Sequence, residues 1–214
     1  MPYQVTIQPS GHQFSVNEDE TVLEAALREG FSLPYGCRNG ACGACKGKVL
    51  SGQLDYGKHS PNALKDDEKA QGRALFCRAK PQSDLVIEAK EIGAAKDIVV
   101  KTLPCRVEKL EKRADDVMLV KIKLPANERL QFLAGQYIDF QLKDGRTRSY
   151  SLANPPHDDA LLELHIRHVP GGLFTDQVFS AMKERDILRL KGPLGSFFIR
   201  EDSDKPMIFV AGGT

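Results

Sequence analysis

The chain has 214 residues, 41% of them hydrophobic and 28% charged, with a formal net charge of +1, a globular composition with room for two modest domains. Residues 1–93 carry 11 basic and 12 acidic side chains and residues 94–214 carry 19 and 17, so neither half has the basic excess of a nucleic-acid binder. No stretch approaches the length of a membrane span and Met1 to Gln8 form no basic-then-apolar signal, so the expectation is a monomer in the reducing cytoplasm.

In chain order, Tyr3 to Gln8 and Gln13 to Val16 flank Pro9-Ser10-Gly11-His12 and predict a hairpin. Thr21-Val22-Leu23-Glu24 is a capping box, with Val22, Leu23, Ala26 and Leu27 on one helical face and Gly30 as the stop. Lys46 to Ser51 predicts a strand, Ser60-Pro61 opens a short polar helix running to Gly72, and Ala74 to Cys77 and Leu85 to Glu88 predict two more strands. A small mixed sheet with one packed helix, a β-grasp arrangement, accounts for this half.

Between the first helix and the third strand stands Cys37-Arg38-Asn39-Gly40-Ala41-Cys42-Gly43-Ala44-Cys45, and Cys77 follows thirty-two positions later. C-x4-C-x2-C with a distant fourth cysteine is the ligand spacing of a plant-type [2Fe–2S] cluster. The intervening residues are small, which permits unusual φ values and close approach of backbone N–H groups to sulfur. Zinc ribbons supply two C-x2-C pairs, whereas Cys77 has no second cysteine beside it. A redox-sensing or merely buried cysteine set, and a structural disulfide, are the remaining alternatives. Cys105 stands alone at the start of a strand-like segment and reads as a small buried hydrophobe. A freely diffusing carrier of single electrons uses a large negative surface for steering; its absence points to a main electron partner on the same chain.

Gly93-Ala94-Ala95-Lys96 lacks large apolar residues and marks a linker. Beyond it strands dominate: Leu103 to Leu110, Val117 to Leu124, Tyr137 to Leu142, Thr147 to Leu152, Leu161 to Val169, Ile187 to Lys191 and Phe197 to Ile199, with helical spacing only at Thr175 to Met182. Antiparallel strands at this spacing predict a small closed barrel. Three motifs punctuate it: Arg148-Ser149-Tyr150-Ser151, Val169-Pro170-Gly171-Gly172-Leu173-Phe174-Thr175, and Gly192-Pro193-Leu194-Gly195-Ser196-Phe197-Phe198. A guanidinium forms bidentate bonds to phosphate, and a helix N-terminus adds N–H donors. Alone, each motif is equally a solvated charge, a core aromatic or a turn.

In their order, downstream of the cysteines, these motifs resemble the ferredoxin–NADP reductase superfamily, in the oxygenase-reductase type with an N-terminal ferredoxin domain; the plant-type ferredoxin likeness covers residues 3–90. The resemblance implies a fold class of α+β and all-β: a ferredoxin domain over 1–93, a linker over 94–102, an antiparallel flavin-binding barrel over 103–201, and over 202–214 the first strand of a nicotinamide-binding α/β domain. It places Cys37, Cys42, Cys45 and Cys77 on the cluster, Arg148 on a flavin phosphate, Tyr150 on the isoalloxazine and Ser151 near N5, with Ser149 between them. Gly171, Gly172 and Thr175 fall at the pyrophosphate, with threonine where many relatives have serine. Domain order favours FAD over FMN. NAD(P)H is the implied donor, and a protein acceptor, an oxygenase or deoxysugar dehydratase component, the implied partner. Met207 to Ala211 reads as a buried-type strand followed by a glycine turn, which predicts a shortened chain or partial gene product with poor NAD(P)H oxidation; the alternative is a strand capping the barrel. A carrier or redox sensor with a docking barrel is the competing function.

Overall fold

The structure, a computed structural model, describes residues 2–92, 98–199 and 205–210. It divides into two compact units, Met1–Asp97 and Ile98–Thr214. The linker expected over 94–102 lies partly outside the described residues, and Lys101 and Thr102 already belong to a strand.

In the first unit, β1 (Tyr3–Gln8) and β2 (Gln13–Val16) pair as the expected hairpin, with Tyr3 opposite Val16. β7 (Leu85–Glu88) runs parallel to β1, and β3 (Lys46–Ser51) and β5 (Arg73–Leu75) complete an order of β2-β1-β7-β3-β5. β4 (Leu54–Asp55) and β6 (Lys80–Pro81) form a separate short ladder. α1 (Val22–Arg28) begins where predicted: the Thr21 hydroxyl accepts from the Glu24 N–H at 3.3 Å, and the Glu24 carboxylate accepts from the Thr21 N–H at 2.9 Å. Its buried side chains are Val22, Leu23, Ala25 and Ala26, and Val5, Ile7, Val16, Leu33 and Ile87 are fully buried in the same unit.

Two elements differ from expectation. α2 spans only Asp66–Ala70, because Ala63 and Leu64 are buried in a turn ahead of it and the acidic run Asp66, Asp67, Glu68 favours a helix start there. Cys77 lies in the turn after β5 rather than in the strand, which frees its thiol from strand alternation.

The second unit comprises β8 (Lys101–Ala114), β9 (Val117–Lys123), β10 (Tyr137–Gln141), β11 (Thr147–Ser151), β12 (Leu162–Arg167), α3 (Leu173–Ser180) and β13 (Ile187–Leu194). The six strands form one antiparallel sheet in the order β11-β10-β13-β8-β9-β12. Its two edges meet where the Ala153 N–H donates to the Glu163 carbonyl at 2.9 Å, so the sheet curls into the predicted barrel. Val107, Ile122, Ile138, Leu164, Ile166 and Leu190 are fully buried inside it, and Phe174 and Val178 of α3 close the core. Phe197–Ile199 is not a strand, since Gly195 at φ 94° turns the chain out of β13. Met207–Val210 is exposed and carries no strand; none of the described strands pairs with it, and a strand needs such partners for its backbone groups.

Gly47 of β3 faces the Phe76 ring, which is 2% exposed, and any Cβ there would be driven into it. Gly47→Ala is expected to lower the unfolding free energy by about 1–3 kcal/mol, the usual cost of overpacking, read from urea denaturation of the protein.

Candidate functional site

The cysteine loop leaves α1 and returns into β3. Arg38 at φ 57°, Gly40 at φ 80° and Gly43 at φ 77° adopt left-handed backbone, which turns successive N–H groups inward. The Cys37 sulfur accepts from the N–H groups of Ala41 at 3.4 Å and Cys42 at 3.3 Å, and the Cys42 sulfur from those of Cys37 at 3.4 Å and Ala44 at 3.5 Å. A Cβ on Gly36 would lie 3.2 Å from the Cys42 sulfur, so the sulfur would have to give way slightly to any side chain there.

The four thiols fall into two pairs. Cys37 and Cys42 are exposed and hydrogen-bonded to each other, while Cys45 and Cys77, each 5% exposed, form the second bonded pair. Burial pushes the Cys37 thiol up, but hydrogen bonds from the Asn39 N–H, the Cys42 thiol and the N–H groups of Ala41 and Cys42 outweigh it and hold it below the ordinary thiol range. The hydrogen bond from Cys45 holds Cys77 at about 7 against the effect of burial, helped by the Gly40 N–H and the Arg78 guanidinium. The same bond, with burial, pushes Cys45 well up. Among the described residues no three His, Cys, Asp or Glu side chains converge as ligands of a single ion would. Two thiol pairs on a bare, N–H-lined loop instead fit a centre with two irons, each taking two sulfurs. Cys105 sits apart in β8, 2% exposed, its thiol pushed up to about 12 by burial alone.

In the barrel, Arg148 and Tyr150 share one face of β11, and Ser149 and Ser151 the other. The Arg148 Nη1 donates to the Thr147 carbonyl at 2.8 Å. Tyr150 is half-buried, its hydroxyl pushed up by burial and drawn down in part by Arg148, and its ring centroid lies 5.5 Å from that of Phe174 and 6.1 Å from that of Phe140. Phe174 belongs to the first turn of α3, so the strand motif and the glycine motif meet through this ring contact. Gly171 has φ 76° and Gly172 is the N-cap of α3. A Cβ on Gly172 would collide with the Thr175 hydroxyl and lie 2.7 Å from the Val169 carbonyl. The Thr175 hydroxyl donates to the Val169 carbonyl at 2.9 Å and accepts from the Val169 N–H at 3.2 Å, so it braces the turn that presents the helix N–H groups. Ser149 spends its hydroxyl elsewhere, donating to Asp139 at 2.6 Å across β10–β11.

Four participants were not singled out from the sequence. Asp139 is 2% exposed because the ladder between β10 and β13 shifts register between Tyr137 and Asp139, burying adjacent residues on a strand that ought to alternate. Gln136 is buried and ties the third motif to β10, donating from Nε2 to the Gly195 carbonyl at 3.1 Å. His168 and Asp176 pair at 2.8 Å across the glycine turn, with the imidazole stacked on Phe179. None has a motif signature; only strand-to-helix folding brings His168 to Asp176.

A bare loop with two thiol pairs in one unit and a phosphate-type helix N-terminus beside a tyrosine in the next define an iron–sulfur flavoprotein. Residues 5–82 match the 2Fe-2S iron-sulfur cluster binding domain, and residues 104–199 the oxidoreductase FAD-binding domain. The chain thus carries a 2Fe-2S cluster-binding domain followed by an oxidoreductase FAD-binding domain, with FAD as the flavin, and spans less than two thirds of the length of the curated relatives it matches. It is 37% identical over its whole length to CDP-6-deoxy-L-threo-D-glycero-4-hexulose-3-dehydrase reductase of Yersinia pestis, spanning 64% of that protein. It is 41% identical over its whole length to the phenol 2-monooxygenase reductase component DmpP of Pseudomonas sp. strain CF600, spanning 61% of it. Among solved structures, Amycolatopsis cytochrome P450 reductase GcoB superposes with a TM-score of 0.78 at 34% identity, over 95% of this chain and 60% of that one.

Gly40 offers the most local test of the loop, because a Cβ there would lie 2.9 Å from Arg78 Cγ and 3.0 Å from the Lys58 carbonyl, at a φ that disfavours any side chain. Gly40→Ala is expected to cut the iron bound per chain severalfold while FAD binding is unchanged, measured by iron assay and flavin titration.

Proposed function

We propose that the chain is the cluster- and flavin-bearing part of an NAD(P)H-dependent reductase that delivers electrons to a protein acceptor. The observation that carries this reading is the domain order itself: a cluster-binding domain followed by a FAD-binding domain, aligned over the whole of this chain and 61–64% of reductase components of oxygenases and of a dehydrase at 36–41% identity. When bound, FAD accepts electrons in pairs and releases them singly, and the [2Fe–2S] cluster carries them one at a time.

The side chains divide this work. Cys37, Cys42, Cys45 and Cys77 would hold the two irons, with the loop N–H groups offsetting the negative charge on sulfur. Arg148 would meet the flavin phosphates as a planar two-point donor, joined by the N–H groups at the start of α3 that Gly171, Gly172 and Thr175 expose. Tyr150 would cover the isoalloxazine and exclude water, with Phe140 and Phe174 fixing the plane of its ring. Ser151 is the hydroxyl available near N5; Ser149 serves instead by anchoring β11 to Asp139.

The acceptor on this reading is an oxygenase or deoxysugar dehydratase component, the two classes named among the relatives. We infer a monomer, and a reducing cytoplasm in which five cysteines stand without disulfides. No described helix is long and apolar enough to cross a membrane. The competing reading is an electron carrier or redox sensor whose barrel binds no flavin.

An anaerobic visible spectrum with acid release and chromatography of the flavin separates the two: cluster bands with one FAD per chain support the reductase, and cluster bands without flavin after reconstitution reject it. Arg148→Ala with Tyr150→Ala is expected to weaken FAD binding at least tenfold and leave the cluster bands intact, while Cys77→Ser is expected to abolish the bands and spare FAD.

A further inference from the structure

Charge is unevenly spread over the first unit. Glu18, Asp19, Glu20, Glu24 and Glu29 gather before and along α1, whereas residues 30–65 contain Arg38, Lys46, Lys48, Lys58 and Lys65 against one acidic residue, Asp55. Of the basic residues, Arg38 lies in the cysteine loop, and Lys58 and Arg78 pack against it. A Cβ on Gly40 would touch Arg78 Cγ at 2.9 Å, the Lys58 carbonyl at 3.0 Å and His59 Cα at 3.1 Å, so all three press against the loop. Arg78 Nε donates to the Lys58 carbonyl at 3.0 Å and locks the pair together, and Arg38 lies within the loop itself. In the segment that follows the loop, Glu68 pairs with Lys46 at 2.6 Å and Asp66 with Lys69 at 2.9 Å, while Asp55 accepts from the Gly57 N–H at 3.0 Å.

The same face is open. Cys37, Asn39, Ala41, Cys42 and Ala44 are exposed, and Lys58 is exposed beside them. Small side chains over two ligand sulfurs allow another protein's surface to come close, which single-electron transfer between proteins requires. A bare cluster would repel an acidic partner, but a rim of cations reverses the field that an approaching protein meets. Residues 94–214 carry 19 basic and 17 acidic side chains, so the flavin-binding half has no acidic excess to answer that rim.

We propose that the face formed by Arg38, Lys58 and Arg78 around Cys37 and Cys42 is the docking surface for a separate electron acceptor, which engages it through an acidic patch beside its own redox centre. The acceptor gains the one electron that the cluster loses, and no bond or proton changes hands. This inference rests on the reductase reading above and adds the sign of the acceptor's surface.

The test uses the full chain with cluster and FAD bound, reduced anaerobically with deazaflavin and light, and mixed in a stopped-flow instrument with one of two haem proteins. Soluble cytochrome b5 is the acidic probe and cytochrome c the basic one; haem absorbance and the visible circular dichroism of the cluster are followed together. The second-order rate with cytochrome b5 is expected to fall about three- to tenfold between low and physiological ionic strength, and the rate with cytochrome c to rise or stay flat. Lys58→Glu is expected to slow cytochrome b5 by a similar factor at low salt and to speed cytochrome c, with Lys58→Gln between. Rates that fall with salt for cytochrome c but not for cytochrome b5, or that ignore Lys58→Glu with both probes, overturn the proposal. Absence of the cluster's circular dichroism in the unsubstituted chain overturns the reductase reading and this one with it; its loss in Lys58→Glu alone marks Lys58 as a loop brace and overturns the docking role.

Discussion

Both groups that this chain is suited to hold are anionic, and an anion at a protein surface or interior is stable only where fixed donors or cations meet it. The chain answers with backbone amides. In the cysteine loop these are the N–H groups of Cys37, Ala41, Cys42 and Ala44, aimed at sulfur by residues with left-handed backbone. In the barrel they are the first N–H groups of α3, laid open by Gly171 and Gly172. Glycine recurs at both places for one shared reason, the left-handed backbone of Gly40, Gly43 and Gly171 that turns the amides inward.

The constraint explains what surrounds each site. A loop without side chains has nothing of its own to pack, so neighbouring segments must hold it: Lys58, His59 and Arg78 press on Gly40, and the Ser60 N–H donates to the Gly40 carbonyl at 3.0 Å. The glycine turn before α3 is braced likewise by Thr175, whose hydroxyl is shared with Val169. Rigidity that a packed loop would derive from its side chains comes here from its surroundings.

The two sites use their aromatic and charged neighbours differently. The flavin site is organised around rings: Phe140, Tyr150 and Phe174 are mutually tilted with centroids 5.1–6.1 Å apart, so the tyrosine plane is set by the core. The cysteine loop is organised around cations, and its exposed sulfurs lie among them. A planar cofactor needs a fixed plane, whereas a compact charged cluster needs a field.

Much of this was legible in the sequence, because it rests on local spacing. Four cysteines at C-x4-C-x2-C and beyond, small residues between them, the Thr21–Glu24 capping box and most of the barrel strands are short-range patterns; the capping box and those strands lie where expected, while Phe197–Ile199 is not a strand and β10 does not alternate. What stayed hidden depends on residues far apart in the chain. The division of the thiols into Cys37–Cys42 and Cys45–Cys77 requires a turn after β5 that strand periodicity masks. The diversion of Ser149 to Asp139 arises from the β10–β11 pairing, which sets the two residues directly opposite each other, and such a register is fixed only when the strands pair. His168 reaches Asp176, and Arg78 reaches Gly40, only after strands pair and helices pack. Local chemistry and spacing determined which groups the chain can hold; long-range pairing alone decided which side chains face them and what charge surrounds them.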